Sequence, residues 1–450
     1  MALYPSESEK INMKSIFQKI TVQKVVKGFR YLKHYGWKEF IIRLQEKMEA
    51  ENVPYEPWYE KHKATAEQIE KQKKQAEKWN DAPKISIVVP LFKTPETFLR
   101  AMIESVQAQT YGNWQLCLAD GSGAGDEDAD PKASLVQSIA NEYASADARI
   151  KYECLTENQG IAGNTNAAIA LADGDWIAFM DHDDLLAPDA LFEMVKMIRQ
   201  GFHDEDGLAA TVYREDGNDY EMLYTDEDKV DMDGKTHFQP HLKPDFNIDL
   251  LRSNNYITHF LAVKRSLLDR VGGIRSDFDG AQDYDFILRC AEQAGAIGHI
   301  PRILYHWRCH KESTSENPFS KQYAVDAGKR AIGEHLKRLG VDAVVTPTKD
   351  MGFYEVEYPL TEQPLVSIII PSKDEVEPYG NVLLRSKSLR MAIMKLLWWK
   401  TTAAKILSVI MGTLRRRKRP LMEHAAWREN LQADSASVLQ SIWKDLTIRS

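Results

Sequence analysis

The chain has 450 residues, 43% hydrophobic and 28% charged, enough to bury one full α/β domain with material left for smaller pieces. That composition excludes a disordered protein, and a net charge of −8 argues against a nucleic-acid binder, whose domains carry a basic balance. The cysteines, Cys117, Cys154, Cys290 and Cys309, lie far apart, so neither a disulfide framework nor a zinc site is suggested by them, and a reducing cytosol fits.

The N-terminus lacks an apolar core of signal-peptide type, so export is not expected. From Lys10 to Lys47 the pattern is helical, with ten Lys or Arg against two Glu and apolar residues at Val25, Val26, Phe29, Leu32, Phe40, Ile41 and Leu44. Two readings stand side by side: the segment lies on the anionic inner face of a membrane as a peripheral contact, or its apolar face packs on the next domain. Pro54 to Trp58 breaks the pattern, and Glu60 to Trp79 reads as one surface helix. Residues 1–82 are expected to carry no chemistry of their own.

Lys84 to Pro90 is a β-branched run without alternation, as in a strand buried on both faces of a parallel sheet. Helical spacing follows from Pro95 through Met102, Ile103 and Val106. A second strand, Trp114 to Ala119, runs into Asp120-Gly121-Ser122-Gly123. Asp120 could accept the imide N–H of a uracil or thymine; the plainer reading is an ordinary Asp-Gly turn. A third strand, Ile150 to Cys154, leads to a helix opening at Asn158-Gln159-Gly160 and continuing past Asn164 and Asn166. Small residues there expose backbone N–H groups toward an anion, and the amides add uncharged donors. The strand Asp175 to Met180 then ends in Asp181-His182-Asp183-Asp184. Two carboxylates one residue apart suit a hard divalent cation with room for diphosphate oxygens, while the alternative is a solvated turn with Asp184 capping the next helix.

Five stretches now stand in order: Ile85–Pro90, Ala119–Ser122, Asn158–Asn166, Asp181–Asp184 and Gly280–Asp285. Together they resemble a family 2 glycosyltransferase of the GT-A fold over residues 83 to about 345. The resemblance implies an α/β, Rossmann-like, mostly parallel sheet with helices on both faces. It also implies a nucleotide-diphosphate-sugar donor, a Mg²⁺ or Mn²⁺ ion and inversion at the anomeric carbon. Pro90, Asp120, Asn158, Gly160, Asn164, Asp181 and Arg308 would then face the donor nucleotide, and Asp181 and Asp183 the metal. Two departures are Ala119, where many members carry another Asp, and Gln282, where many carry Glu.

Further along, Asp226, Glu227 and Asp228 precede Lys229 and an Asp233-Gly234 turn, which favours a strand end and hairpin over a second metal site. Asn255 and His259 either contact sugar hydroxyls or form a satisfied polar pair. Gln282-Asp283-Tyr284-Asp285 opens a helix starting at Phe286. An inverting transfer needs a carboxylate to deprotonate the acceptor, and Asp283 is expected to be that base, with Gln282 beside the acceptor and Asp285 as helix cap. Ile303 to His310 is strand-like. In the fold that the chain resembles, this segment returns to the donor diphosphate, which implies that Arg308 pairs with phosphate and that His306 or His310 completes the metal shell. Lys311 to Ser320 reads as a loop closing over the donor, and Tyr323 to Leu339 as a packing helix ending at Gly340.

Pro364 to Pro371 repeats Pro83 to Pro90, so residues 346–377 read as a linker and the first strand of an incomplete second domain of the same kind. Residues 378–450 lack the family pattern, and Lys395, Lys400 and Lys405 interrupt any membrane span. Back-translated and read one base earlier, Pro378 to Ala403 can spell a family-like helix and then the strand Tyr-Glu-Ile-Ile-Val-Val. A frameshift is the resulting hypothesis, with the tail disordered or loosely helical; the codons of the gene decide it.

The resemblance implies an inverting, metal-dependent, cytosol-facing transfer of a sugar to a growing surface glycan or lipid-linked acceptor. Gln282–Asp285 and Tyr305–Arg308 resemble the rhamnosyltransferase-like members, which puts dTDP-rhamnose first as donor and leaves UDP-sugars open. Alternatives are a non-catalytic glycan-assembly subunit and a nucleotidyltransferase, although the latter would lean on a basic Gly-rich loop where only Lys93 stands.

Overall fold

A computed structural model of the chain describes residues 55–123, 131–200, 213–214, 219–309, 318–359, 366–372 and 394–400. The basic N-terminal segment, His310, the loop at 311–317 and most of the tail lie outside the described residues. The chain divides into two compact units, Met1–Glu357 and Tyr358–Ser450.

The first unit is built on one sheet. Its strands are β1 (Ile85–Leu91), β2 (Trp114–Asp120), β3 (Ile150–Cys154), β4 (Trp176–Phe179), β5 (Leu185–Leu186), β6 (Tyr213–Arg214), β7 (Met222–Val230), β8 (His237–His241), β9 (Leu261–Lys264) and β10 (Ala296–Arg308). The order is β3-β2-β1-β4-β9-β7-β10-β5, with β6 on β10 and β8 on β7. β3, β2, β1, β4, β7 and β10 run one way, and β9 lies antiparallel between β4 and β7. This is the expected mostly parallel α/β sheet.

Both faces are covered, as the absence of alternation in β1 predicts. Ile85, Ile87, Val89 and Leu91 point into one core, with α3 (Glu96–Gln107), α4 (Pro131–Ala146) and α6 (Ala190–Gln200) packed there. Val88, Cys117 and Ile177 point into the other, beside α5 (Gly160–Leu171), α8 (Arg265–Val271), α9 (Gln282–Gln293) and α10 (Pro318–Arg338). The apolar spacing of α3 buries Phe98, Leu99, Met102, Ile103 and Val106 on one stripe. The short α7 (Ile248–Ser253) is capped by the Asn247 side chain.

Three local expectations need correction. The single helix over Glu60–Trp79 is two helices, α1 (Tyr55–His62) and α2 (Ala66–Ala76), because Thr65 and Gln68 form a reciprocal capping box that restarts the helix. Pro57 does not break α1, since a first-turn residue has no intrahelical N–H bond to lose. The helix expected from Phe286 starts at Gln282, and Asp285 caps nothing; Ala281 stands at the cap without a side-chain bond.

The hairpin β11 (Val344–Pro347) and β12 (Tyr354–Glu357) belongs to the first unit, with Tyr354 buried in its core. In the second unit β13 (Val366–Ser372) pairs in parallel with β14 (Met394–Lys400), so this part of the tail is strand rather than disordered or helical. Among the described residues no helix is long and apolar enough to cross a membrane.

Candidate functional site

The carboxyl ends of β1, β2 and β4 and the start of α5 converge on one cleft. At the end of β2 Asp120 is buried, accepting from Ser122 N–H at 2.9 Å and from Tyr152 Oη at 2.9 Å. Gly121 lets the α5 turn approach: a Cβ there would lie 2.3 Å from Asn164 Nδ2. Asn158 Oδ1 accepts from Gly160 N–H and Asn164 Nδ2, each at 3.0 Å, and Asn164 Oδ1 accepts from Gln159 N–H at 3.1 Å. These amides shape the turn that opens α5. Gly160, at φ 74°, faces Asp279, and Pro90 pairs with Ala119 at the strand ends.

At the end of β4 the four-residue turn divides its labour. The Asp181 side chain is 47% exposed, with Oδ2 3.5 Å from His259 Nε2. Asp184 is fully buried and caps no helix; it accepts from Tyr305 Oη at 2.5 Å and from Arg308 N–H at 2.8 Å. Burial, then the charges of Asp183 and Asp181, push the Asp184 carboxyl well above the usual carboxylate range. Tyr305 also accepts from Asp181 N–H at 3.2 Å. Arg308 is buried: Nε donates to Asp183 O at 2.6 Å and Nη1 to Met232 O at 2.7 Å, so in this conformation the guanidinium braces the acidic turn from behind.

His259 is the hinge of the electrostatics. Its Nδ1 lies 3.1 Å from Glu227 Oε2, and its ring stacks on Tyr305 at 4.8 Å and 8°. Burial works against its charge, but Asp181 and Glu227 together hold the imidazole proton well above the ordinary histidine value. For Asp181 burial raises the pKa, yet the His259 contact prevails and lowers it. Glu227 is likewise held well below its usual value against burial, by His241 and His259. Lys243 is buried beside it, with Nζ 3.4 Å from Glu227 Oε2 and donating to Ile257 O at 2.6 Å and to His259 O. Burial lowers this lysine to about 8. Thr258 sits at φ 39°, a costly conformation for a β-branched residue, and its Oγ1 donates to Glu227 at 3.0 Å.

Across the cleft Asp283 lies in the first turn of α9, exposed, accepting from Asn255 Nδ2 at 2.9 Å. Desolvation, the largest influence, raises its pKa, with the charge of His259 lowering it and that of Asp181 raising it in smaller measure. Two residues on, Asp285 is fully buried between Arg275 and Arg289, with Arg289 Nε donating at 2.9 Å. Gln282 Oε1 accepts from Gly280 N–H at 2.8 Å, shaping the turn before α9.

The structure thus brings Asp181, His259, Asn255 and Asp283 to one place, beside Asp120, Asn158, Gly160 and Asn164. It does not bring His306 there. Consecutive residues of a strand face opposite ways, so Tyr305 meets the acidic turn while His306 meets Asp228 on the other side. Glu227, Lys243, Tyr305 and Asp184 join this group by contact, Lys243 and Tyr305 without having been singled out in the sequence, Glu227 having been read as part of a strand end and Asp184 as a cap. The one signal was three adjacent carboxylates in Tyr224–Lys229: inside a strand, Glu227 must face away from Asp226 and Asp228. A separate pocket lined by Glu221, Lys264, Arg270 and Gly295 opens at the amino ends of the strands and shares no residue with this cleft.

Residues 86–272 match the family model for Glycosyl transferase family 2. A protein of Sinorhizobium fredii is 40% identical over 299 residues, covering 66% of this chain and 30% of its own length. An O-antigen biosynthesis protein of Myxococcus xanthus is 38% identical over 292 residues, covering 65% of this chain and 21% of its own. The chain therefore spans about a third or less of these curated relatives. Among solved structures, TarS of Staphylococcus aureus in complex with UDP-GlcNAc is similar at 15% identity and a TM-score of 0.41, over 57% of this chain and 72% of that one.

Proposed function

Because residues 86–272 are a family 2 glycosyltransferase domain, we propose that the chain moves a sugar from a nucleotide-diphosphate-sugar to a hydroxyl of a growing surface polysaccharide or lipid-linked glycan, with inversion. The observation that carries this reading is the exposed Asp283 carboxylate, held by Asn255 across from the half-exposed Asp181 and within the field of both Asp181 and His259.

In this reading Asp283 accepts the proton of the acceptor hydroxyl as its oxygen bonds to the anomeric carbon. The bond from that carbon to the diphosphate breaks on the opposite face, and the nucleotide leaves with the electron pair. A base whose pKa is raised takes the proton more readily, which suits Asp283. Asp120 and the Asn158–Asn164 turn would hold the nucleotide, and His259 would fix the Asp181 carboxylate. The donors at the β4 end, Asp181 and Asp183, are oxygens, and they fit Mg²⁺ or Mn²⁺. Such an ion, when bound, neutralises charge on the departing diphosphate. For the donor, dTDP-rhamnose is proposed first and UDP-sugars next, supported by the Gln282–Asp285 and Tyr305–Arg308 stretches and by the O-antigen relative. The test is nucleotide release from a panel of UDP-, dTDP- and GDP-sugars, with Mn²⁺ and with chelator, by the full chain and by Asp283→Asn.

The second unit reads as the opening of another domain of this kind. β13 pairs with β14 as β1 pairs with β2, both in parallel, Val366 with Met394 and Ile85 with Trp114. β14 begins at Met394, the position where the shifted reading starts its own strand. Sequencing the gene tests the frameshift hypothesis: codons over 378–403 that do not give that reading end the idea.

A further inference from the structure

Asp228 lies on the side of β7 turned away from the cleft and is fully buried. Its Oδ1 is 2.5 Å from His306 Nδ1, and its Oδ2 is 2.8 Å from His237 Nδ1 and 2.7 Å from Tyr55 Oη. These three ligands come from β7, β8 and β10, and the phenol from α1. Among the described residues the carboxylate is held by these two imidazoles and the phenol, with no lysine or arginine beside it. The outer nitrogen of His306 is itself held, with Tyr59 Oη 3.2 Å from Nε2, and the Tyr59 ring stacks on His237 at 4.0 Å. An oxygen partner on the far ring nitrogen is what orients a metal-bound imidazole.

We propose that Asp228, His237 and His306 bind a transition-metal cation of the zinc class, with Tyr55 beside the fourth corner. Their ligand atoms all lie within 4.8 Å of one another. Two imidazoles and one carboxylate favour zinc-like ions over Mg²⁺ or Mn²⁺, which prefer oxygens. Closing on an ion with bonds of about 2.0–2.2 Å spreads the ligand contacts from 2.5 and 2.8 Å to roughly 3.3 Å, a shift of tenths of an ångström. The bound ion would neutralise Asp228 and staple α1 to the strands whose other face carries Glu227 and Tyr305. The site does not rest on the transferase reading.

The test uses the full chain stripped with chelator and titrated with Co²⁺, whose visible absorption reports four-coordinate nitrogen and oxygen ligation, then with Zn²⁺ in competition. The expected result is one Co²⁺ per chain with the four-coordinate absorption, displaced by Zn²⁺, that absorption being retained in Asp181→Asn, which removes the proposed oxygen site, and lost in His237→Gln. Tyr59→Phe, which keeps every ligand, is expected to weaken binding about tenfold or more. Thermal melting guards against a variant that fails to fold: Zn²⁺ is expected to raise the melting temperature of the native chain and not that of folded His237→Gln. Absence of a bound ion in the native chain, or an ion that survives His237→Gln and disappears in Asp181→Asn, would overturn the proposal and leave the four groups as a hydrogen-bond network.

Discussion

Glu227 and Asp228 are consecutive, both buried, and face opposite sides of the same strand. Glu227 gathers His241, Lys243, Thr258 and His259, and through His259 it reaches the exposed Asp181. Asp228 gathers Tyr55, His237 and His306, none of which contacts the cleft residues Asp181 or Asp283 among the described groups. The same chemistry, a buried carboxylate among histidines, is therefore used twice: on one face it sets the charge of His259 and Asp181 at the proposed site, and on the other it holds α1 through Tyr55. A parallel contrast lies in α9, where Asp283 is exposed to the cleft and Asp285 is locked between two arginines.

These contrasts can be broken by substitution. The largest effect on turnover is expected at Asp283→Asn, a loss of about 10²–10⁴-fold with nucleotide binding and melting temperature kept, since a general base contributes on that order. Asp285→Asn should do the reverse, destabilising the fold by about 3 kcal/mol or more in denaturant melts, because it strands buried charge on Arg289. Glu227→Gln is expected to lower turnover and also to release the His259 proton, visible as a fall of the histidine pKa by NMR titration. Asp228→Asn should leave that histidine unchanged and act only on stability and metal content.

The pH dependence sharpens the same division. The pKa of Asp283 is raised in the folded chain, so activity should fall as acid protonates it at a pH above the ordinary carboxylate value, and that acid limb should be missing from residual Asp283→Asn activity. Lys243 moves the other way, down to about 8. Between that value and the ordinary lysine pKa the unfolded chain holds the extra proton, so this group makes stability rise with pH there. Lys243→Met should remove that rise, and the smallest effect is expected at neutral pH, about 1–3 kcal/mol from the carbonyls of Ile257 and His259 left without their donor.

Much of the front of the molecule was legible in the residues. β-branched runs without alternation marked β1 and β2 as strands buried on both faces, and the polar turns after them fell at one sheet edge. Asp181 and Asp283 do stand at a strand end and a helix start, as the pattern has them, but a solvated turn and a helix cap fit those patterns equally well, and their expected roles came with the family resemblance. The partners of His306 and Arg308 were not legible, because they depend on which way a strand residue faces and on what a distant turn leaves open. Tyr55 and Tyr59 were missed for the same reason: nothing local joins Tyr55 to a carboxylate 173 residues away or Tyr59 to a histidine 247 residues away, and the docking of α1 on β8 does so.

The most direct measurement of the central claim is nucleotide release by the native chain and by Asp283→Asn across UDP-, dTDP- and GDP-sugars, with Mn²⁺ and with chelator. Chelator-sensitive release from one donor by the native chain, abolished by Asp283→Asn while nucleotide still binds, is the predicted result. Undiminished release by Asp283→Asn would contradict the account.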